Sequence, residues 1–251
     1  MKQKSLFLLL FIALLLTSCM SMALRSVGAY REHNSVSFFS NGNKTVAYIP
    51  MVHVGKKEFY ADTKSKVDSL QRNGYIVFME SVRVKDSLTA PQKDTLRRKI
   101  RYLLGVDLNR NGYLDSVNGT FMGRKFKNKE GLTNQPKYHK MGVDTIKGRI
   151  EDVPMNVLLK AYEDQYGKIA LSNCDFETSF DQKYSCPRQV NNWMKEFVLG
   201  YRNRYLAAAI IDENNQKIAV MYGAMHYGGL LEELTKTDST WTERKDLYRK
   251  Q

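Results

Sequence analysis

Three runs of consecutive apolar residues most constrain what this chain can fold into. They lie at 45–52 (TVAYIPMV), 75–79 (YIVFM) and 217–223 (KIAVMYG). Strands that are covered on both faces are continuously apolar, whereas strands with one solvated face alternate apolar and polar residues. A segment with helical periodicity, 57–74, separates the first two runs and gives the order strand, helix, strand. The sequence therefore predicts a single α/β domain with a mainly parallel central sheet flanked by helices.

The first residues indicate export. The chain of 251 residues begins with two lysines and an apolar run, and this run ends at Leu16-Thr17-Ser18-Cys19. This is the layout of a secretory signal peptide that closes with a bacterial lipobox. We predict a lipoprotein signal peptide at 1–18, lipidation at Cys19, a tether over 19–34 and the α/β domain over 35–251. The alternatives are an ordinary signal peptide and an uncleaved anchor.

The remaining elements follow from local patterns. An insertion at about 84–140 is polar, rich in glycine and weakly periodic, so we predict that it is mostly irregular apart from one helix. Apolar spacing and turn residues predict the other elements. These are a hairpin or two adjacent strands over 35–52, a strand at 141–146, helices at 154–167, 187–212 and 228–237, and an edge strand near 241–250.

The charge balance limits the partners. Lysine and arginine outnumber aspartate and glutamate by 39 to 26, and the basic residues are dispersed among the acids. An exported lipoprotein with this pattern is not expected to bind nucleic acid. The basic surface is better suited to anionic lipid or glycan. We expect the chain to sit in the bacterial cell envelope, held to a membrane by its lipid anchor, at the periplasmic face or the cell surface.

Three polar residues follow the three apolar runs. They are His53, Glu80 and His226. In an open α/β sheet, ligands bind at the carboxyl edge of the strands, where these side chains would meet. Two imidazoles and a carboxylate can bind a divalent metal and leave a position open, and such a metal can polarise a carbonyl group. The alternative is that each is a structural residue, satisfied by hydrogen bonds or an ion pair.

Arg202 is a further candidate for this site. It shares one helical face with Leu199, Leu206 and Ile210, so it is expected to be buried. A buried guanidinium needs an anionic partner, and Glu80 or a bound anion could supply it. The alternative is that the side chain extends to the edge of the helix and reaches solvent. Arg204, on an adjoining face, competes for the same role.

Cys174 and Cys186 remain once Cys19 is assigned to the lipid anchor. They lie twelve positions apart, and in an exported protein such a pair favours a disulfide. The alternative is two buried thiols.

A second metal candidate is the segment 107–118. Asp107, Asn109, Asn111 and Asp115 match oxygen-ligand positions of an EF-hand loop, although Asn118 stands where a glutamate is usual. Calcium binding is one interpretation, and a polar turn is the other.

Four short motifs together resemble the TraB/TIKI-like superfamily. They are PMVHVG around His53, VFME at Glu80, YRNRYLA around Arg202 and GAMHYGG around His226. The family is marked by paired G-x-x-H motifs, a glutamate after an early strand and an arginine in a segment like E-R-N-x-x-L-A. It is related to erythromycin-esterase-like and ChaN-like proteins. The chain departs from the pattern at Pro50, where the family has glycine, and at Tyr201, where it has an acid.

The resemblance implies a function and a set of roles. The Tiki branch consists of metal-dependent proteases, so His53, His226 and Glu80 are expected to ligate a divalent metal: zinc, manganese or cobalt. Glu80 would bind the metal or act as general base, and Arg202 would stabilise an oxyanion or orient Glu80. We therefore expect a metal-dependent hydrolase that acts on a peptide or small-molecule substrate.

Two other hypotheses remain open. The ChaN-like branch includes haem-binding lipoproteins, so the same cleft could bind haem or another ligand without catalysis. A structural surface protein with a vestigial cleft is the third possibility.

The lipobox makes a direct prediction. The substitution Cys19→Ala removes the thiol that is acylated, so the variant should accumulate as unprocessed precursor or be released from the membrane. Each buried CH₂ of an acyl chain contributes about 0.8 kcal/mol to anchoring. Mass spectrometry of the membrane fraction measures this, and normal acylation of the variant would contradict the assignment.

Overall fold

The computed structural model of the chain describes residues 20–84, 87–107 and 112–249. The predicted signal peptide and the lipidation site Cys19 lie outside the described residues. In chain order the strands are β1 (Ser37–Ser40), β2 (Thr45–Met51), β3 (Val54–Gly55), β4 (Ile76–Met79), β5 (Leu114–Asp115), β6 (Thr120–Phe121), β7 (Arg124–Lys125), β8 (Thr133–Asn134), β9 (Gly148–Ile150), β10 (Lys217–Gly223) and β11 (Thr242–Glu243).

The helices are distributed along the whole chain. They are α1, whose described part is residues 20–26, α2 (Lys57–Arg72), α3 (Ala90–Leu104), α4 (Met155–Tyr166), α5 (Asn173–Glu177), α6 (Arg202–Asp212) and α7 (Tyr227–Thr237). A π-helix spans Trp193–Tyr201, and short 3-10 helices span Tyr138–Met141, Ala224–His226 and Lys245–Arg249. Within the described ranges, none of these helices has the length and apolar character needed to cross a membrane.

The central sheet has six strands in the order β11-β1-β2-β10-β4-β9. β2, β10, β4 and β9 are parallel, whereas β1 and β11 are antiparallel additions at one edge. β10 lies between β2 and β4, and Val220 pairs with Tyr48 on one side and Phe78 on the other. The predicted mainly parallel α/β fold is therefore confirmed.

Each face of the sheet is covered by helices. Alternate residues of β2 and β10, such as Ile49 and Met221, pack with Val67 and Leu70 of α2. The intervening residues face the other side. There, residues of β2, β4 and β10 (Val46, Tyr48, Phe78, Val220) pack with residues of α6 and α7 (Leu206, Ile210, Leu230, Leu234). Burial of both faces explains why the strands are continuously apolar.

The insertion contains more regular structure than the mostly irregular segment that we predict. Besides α3, it forms a three-stranded antiparallel sheet from β5, β6 and β7. β8 pairs with β3, directly after His53, so the insertion is attached to the carboxyl end of β2. Each of these strands has only two residues, which is too short for periodicity to show in the sequence.

The residues after Cys19 differ from the predicted tether. Leu24 and Ala29 are buried in a cluster with Val54, Leu114 and Leu132, and Met20 packs against it. Residues 20–30 therefore pack on the insertion, and Asn34 binds Asp62 and Thr63 of α2.

The predicted strand at 141–146 is wrong. Gly142 has a φ of +82° and ends the 3-10 helix that precedes it, so the chain cannot continue there as an extended strand. The backbone N–H of Ile146 donates to the carboxylate of Asp144 at 2.7 Å and forms a turn. The strand begins two residues later, at Gly148.

The predicted continuous helix over 187–212 is also wrong. Asn192 has a φ of +47°, and helical structure starts only at Trp193. The nine residues from Trp193 to Tyr201 form a π-helix. The ring of Phe197 stacks on that of Trp193 at a centroid distance of 5.9 Å and on that of Tyr201 at 6.4 Å. Periodicity at the α-helical spacing does not reveal such a wider helix. The α-helical part starts at Arg202.

Cys174 and Cys186 are joined in a disulfide, which closes a loop against α3. The buried guanidinium of Arg101 donates to the backbone carbonyls of Asp175 and Thr178 at 2.7 and 2.9 Å. The loop is thus held by a covalent bond and by hydrogen bonds from one arginine.

Loss of this disulfide should destabilise the protein. In the chain-entropy model a loop of this size contributes about 3 kcal/mol to the free energy of unfolding. We expect the double variant C174S/C186S to unfold at a lower urea concentration than the wild-type protein. Its free energy of unfolding should be smaller by about 3 kcal/mol. Reductant should destabilise the native protein equally and leave the variant unchanged. Equal midpoints for both proteins would contradict the prediction.

Candidate functional site

The carboxyl ends of β4 and β10 meet at the candidate site. Glu80 directly follows β4, and its backbone N–H donates to the carbonyl of Met221 at 3.1 Å. Its side-chain Oε2 accepts a hydrogen bond from the backbone N–H of Gly223 at 2.6 Å. His226 lies at the end of the short 3-10 helix that follows Gly223. The carboxylate of Glu80 is thereby fixed to the strand that carries His226.

Arg202 is buried beside Glu80 and is bound by two carboxylates. Its Nη2 donates to Oε1 of Glu80 at 2.6 Å and to Oδ2 of Asp152 at 2.7 Å, and its Nε donates to Oδ1 of Asp152 at 2.9 Å. The side chains of Arg202 and Asp152 are 4% and 0% exposed, so this is a desolvated ion-pair network. Arg202 is held by Asp152 in a two-bond geometry and therefore has a fixed orientation toward Glu80.

His226 is buried and in contact with the same network. Its Nδ1 lies 2.7 Å from Oδ1 of Asn203, which can only accept, so Nδ1 carries the proton. Its Nε2 faces Arg202 Nη1 at 3.3 Å and Glu80 Oε1 at 3.8 Å. Burial and, next, the positive charge of Arg202 lower the pKa of His226 to about 4, although the charge of Glu80 acts in the opposite direction. The ring is therefore neutral at pH 7, and Nε2 accepts from Nη1 of Arg202.

His53 belongs to the same site but is exposed to solvent. Its ring stacks on Tyr113 of the insertion at a centroid distance of 4.4 Å and an interplanar angle of 6°. Desolvation by the surrounding protein lowers the pKa of His53, whereas the charge of Glu80 and a hydrogen bond that His53 donates to Gln135 oppose this. Gly223 pairs with Met51 at the carboxyl ends of β10 and β2, so His53, which follows β2, lies at the same edge of the sheet as Glu80 and His226.

The charges of the site leave an excess of negative charge. Burial raises the pKa of Glu80, but Arg202 and the two imidazoles outweigh it, so the pKa of Glu80 is lowered and the group is ionised. Burial raises the pKa of Asp152, and its hydrogen bonds to Arg202 oppose this. The two carboxylates together raise the pKa of Arg202 far above its ordinary value. One guanidinium thus faces two carboxylates, and the two nearby imidazoles are neutral.

Sequence reasoning missed several residues of the site. Asp152 lies just after β9, in the same way that Glu80 lies just after β4. Had the sequence analysis placed β9 correctly, it would have put Asp152 at the same edge of the sheet as Glu80. Asn203 is adjacent to Arg202 in YRNRYLA. Nothing in this local sequence indicates that its side chain binds His226. Tyr113 and Gln135 come from the insertion, and nothing in their sequence context indicates that they reach His53.

The other candidates lie elsewhere. Arg204 is exposed and lines a separate cavity of about 460 Å³ between α4 and the π-helix, together with Lys195 and Gln165. His33 and His139 are exposed, in agreement with their polar surroundings in the sequence.

Two residues of the possible calcium loop, Asn109 and Asn111, lie outside the described residues. Asp107 forms an ion pair with Arg97. Oδ1 of Asp115 accepts hydrogen bonds from the backbone N–H groups of Val117 and Asn118, both at 3.0 Å. These contacts are those of a polar turn, and calcium binding stays a prediction.

Comparisons with protein-family models, with curated proteins and with solved structures find no match to this chain. Among the described residues, no group of three or more potential metal ligands is assembled at ligating distance. The function therefore has to be argued from the geometry of the site.

Asp152 should be important for stability because it neutralises a buried charge. Removing one partner of a buried ion pair costs about 3–5 kcal/mol, since the other charge stays buried and unpaired. Because Arg202 keeps its bond to Glu80, we expect Asp152→Ala to lower the free energy of unfolding by about 3 kcal/mol, the lower end of this range, in chemical denaturation.

Asp164→Ala provides the matched control for this measurement. Asp164 forms an exposed ion pair with Lys160 and should contribute little. If both variants lose equally little, Asp152 does not carry the role that we assign to it.

Proposed function

We propose that the chain is an envelope-anchored, metal-dependent hydrolase that cleaves a peptide bond. The observation that carries the proposal is the state of His226. Its Nδ1 proton is bound by Asn203, so Nε2 is unprotonated, and it lies 3.3 Å from Nη1 of Arg202 and 3.8 Å from the ionised carboxylate of Glu80. A histidine that ligates a metal is held in this way, with its second ring nitrogen donating to an oxygen of the protein.

The donor set fits a divalent cation in its chemistry. Metal ligands must be deprotonated, and the lowered pKa values of His53, His226 and Glu80 meet this requirement at neutral pH. Because Asp152 neutralises Arg202, the charge of Glu80 is available to a cation. Each oxygen of Glu80 accepts one hydrogen bond and keeps a further lone pair.

The residues of the chain have distinct roles in this proposal. His53, His226 and Glu80 would hold the ion. A bound divalent ion polarises the substrate carbonyl and lowers the pKa of water toward 7. Arg202 orients Glu80 through the 2.6 Å bond to its Oε1, and Asn203 keeps His226 in the required tautomer. His53 lies on the solvent side of the site, where a substrate would enter.

One contact favours a second function, the binding of haem or another ligand without catalysis. Nη1 of Arg202 lies 3.3 Å from Nε2 of His226, the nitrogen that a metal would need. His53 is exposed and has a flat aromatic neighbour in Tyr113, so it alone could reach the iron of a haem. In that case the buried network would be structural.

Metal analysis tests the proposal. We expect the purified protein to bind zinc, manganese or cobalt in equimolar amount, and the double variant H53A/H226A to lose it. His33→Ala is the matched control, since this histidine is exposed and lies beside Asp62 of α2. A peptide-cleavage assay should lose its signal with a chelator and recover it when metal is added.

The alternatives give different results. Equal metal content in the wild-type protein and in H53A/H226A would contradict the metal site. A haem absorption band that is lost in His53→Ala, without peptide cleavage, would support the binding function instead.

A further inference from the structure

We propose that one face of the molecule docks on the anionic headgroups of the membrane that carries the lipid anchor. This face consists of α1 and the β6–β7 hairpin with the residues that follow it. We call it the basic hairpin face. Its basic residues are Arg124, Lys125, Lys127 and Lys129. The inference rests on the proposed lipid anchor at Cys19 and is independent of catalysis.

The start of the described chain is packed against this face. Leu24 of α1 is buried among Val54, Leu114 and Leu132, and Phe121 and Phe126 of the hairpin pack on the same cluster. Arg25 of α1 lies 3.8 Å from Glu130, which follows the hairpin. These contacts fix α1 on the hairpin, so the two move as one unit.

The anchor is therefore close to the hairpin. Met20 packs against the same cluster and is bonded to Cys19 through a single peptide bond. Consecutive Cα atoms are about 3.8 Å apart, so no long linker separates an acylated Cys19 from this face. A bilayer that holds the acyl chains would lie beside the hairpin.

The charge of the face complements an anionic bilayer. Arg124, Lys125, Lys127 and Lys129 are all exposed within six residues of sequence, and the adjacent acid, Glu130, pairs with Arg25. Asp115 of β5, in the same small sheet, accepts hydrogen bonds from the backbone of Val117 and Asn118. Anionic headgroups attract basic residues near the surface over a distance of about one Debye length. Because the anchor is short, the four basic residues stay within one Debye length of the headgroups. A flexible tether over 19–34 would not keep them that close.

Docking would also orient the cleft. Tyr113 packs against the same cluster and stacks on His53. The wall of the cleft that the insertion forms would therefore lie toward the membrane. A substrate near the bilayer surface would then be the one that reaches His53.

The test uses the full lipidated protein with one introduced cysteine. Val117→Cys lies in the turn between β5 and β6, and Ile146→Cys lies in the turn before β9. The native residues are 91% and 93% exposed. Each variant is labelled with a fluorophore and inserted into vesicles whose headgroups carry a quencher. The vesicles contain phosphatidylcholine alone or equal parts of phosphatidylcholine and phosphatidylglycerol. Mass spectrometry first verifies that Cys19 is acylated.

We expect strong quenching at position 117 in the anionic vesicles. This quenching should be markedly lower in neutral vesicles or at high salt. At position 146 we expect little quenching in either type of vesicle. Adding R124Q/K127Q to the labelled protein should weaken docking about fivefold for each charge removed. Equal quenching at 117 in both vesicle types, or no effect of R124Q/K127Q, would overturn the proposal. An unacylated Cys19 would overturn it as well, whereas a failed peptidase assay would leave it unaffected.

Discussion

The buried guanidinium of Arg202 is the interaction on which the arrangement of the site depends. It lies at the start of α6 and binds Glu80 after β4 and Asp152 after β9, while its Nη1 contacts His226 after β10. Four segments that are distant in the sequence are thus held by one side chain. A desolvated arginine is tolerated only because both carboxylates are present, so the fold and the network require each other.

The same network sets the protonation states of the candidate site. Asp152 neutralises the positive charge of Arg202, so the negative charge of Glu80 is not cancelled. Burial and the nearby guanidinium keep His226 neutral. Asn203 fixes its tautomer at Nδ1, and Nε2 lies 3.3 Å from Nη1 of Arg202. The imidazole is therefore held in one orientation within the network.

The success of sequence reasoning varied with the range of the interactions. The continuously apolar runs predicted β2, β4 and β10, because a strand buried on both faces leaves no polar alternation. The π-helix and the two-residue strands of the insertion were missed, since they have no distinct period. Asp152 was missed for a related reason, because the strand before it was placed over 141–146, where Gly142 and the turn at Asp144 prevent extension.

The sequence by itself determined the fold class and the chemical identity of His53, Glu80, Arg202 and His226, since apolar runs and the residues that end them are local features. Only the tertiary structure decided that β10 lies between β2 and β4, that Asp152 and Asn203 complete the network, and that Tyr113 of the insertion stacks on His53. Strand order and side-chain contacts between distant segments depend on the packing of whole layers. No local pattern of residues encodes that packing.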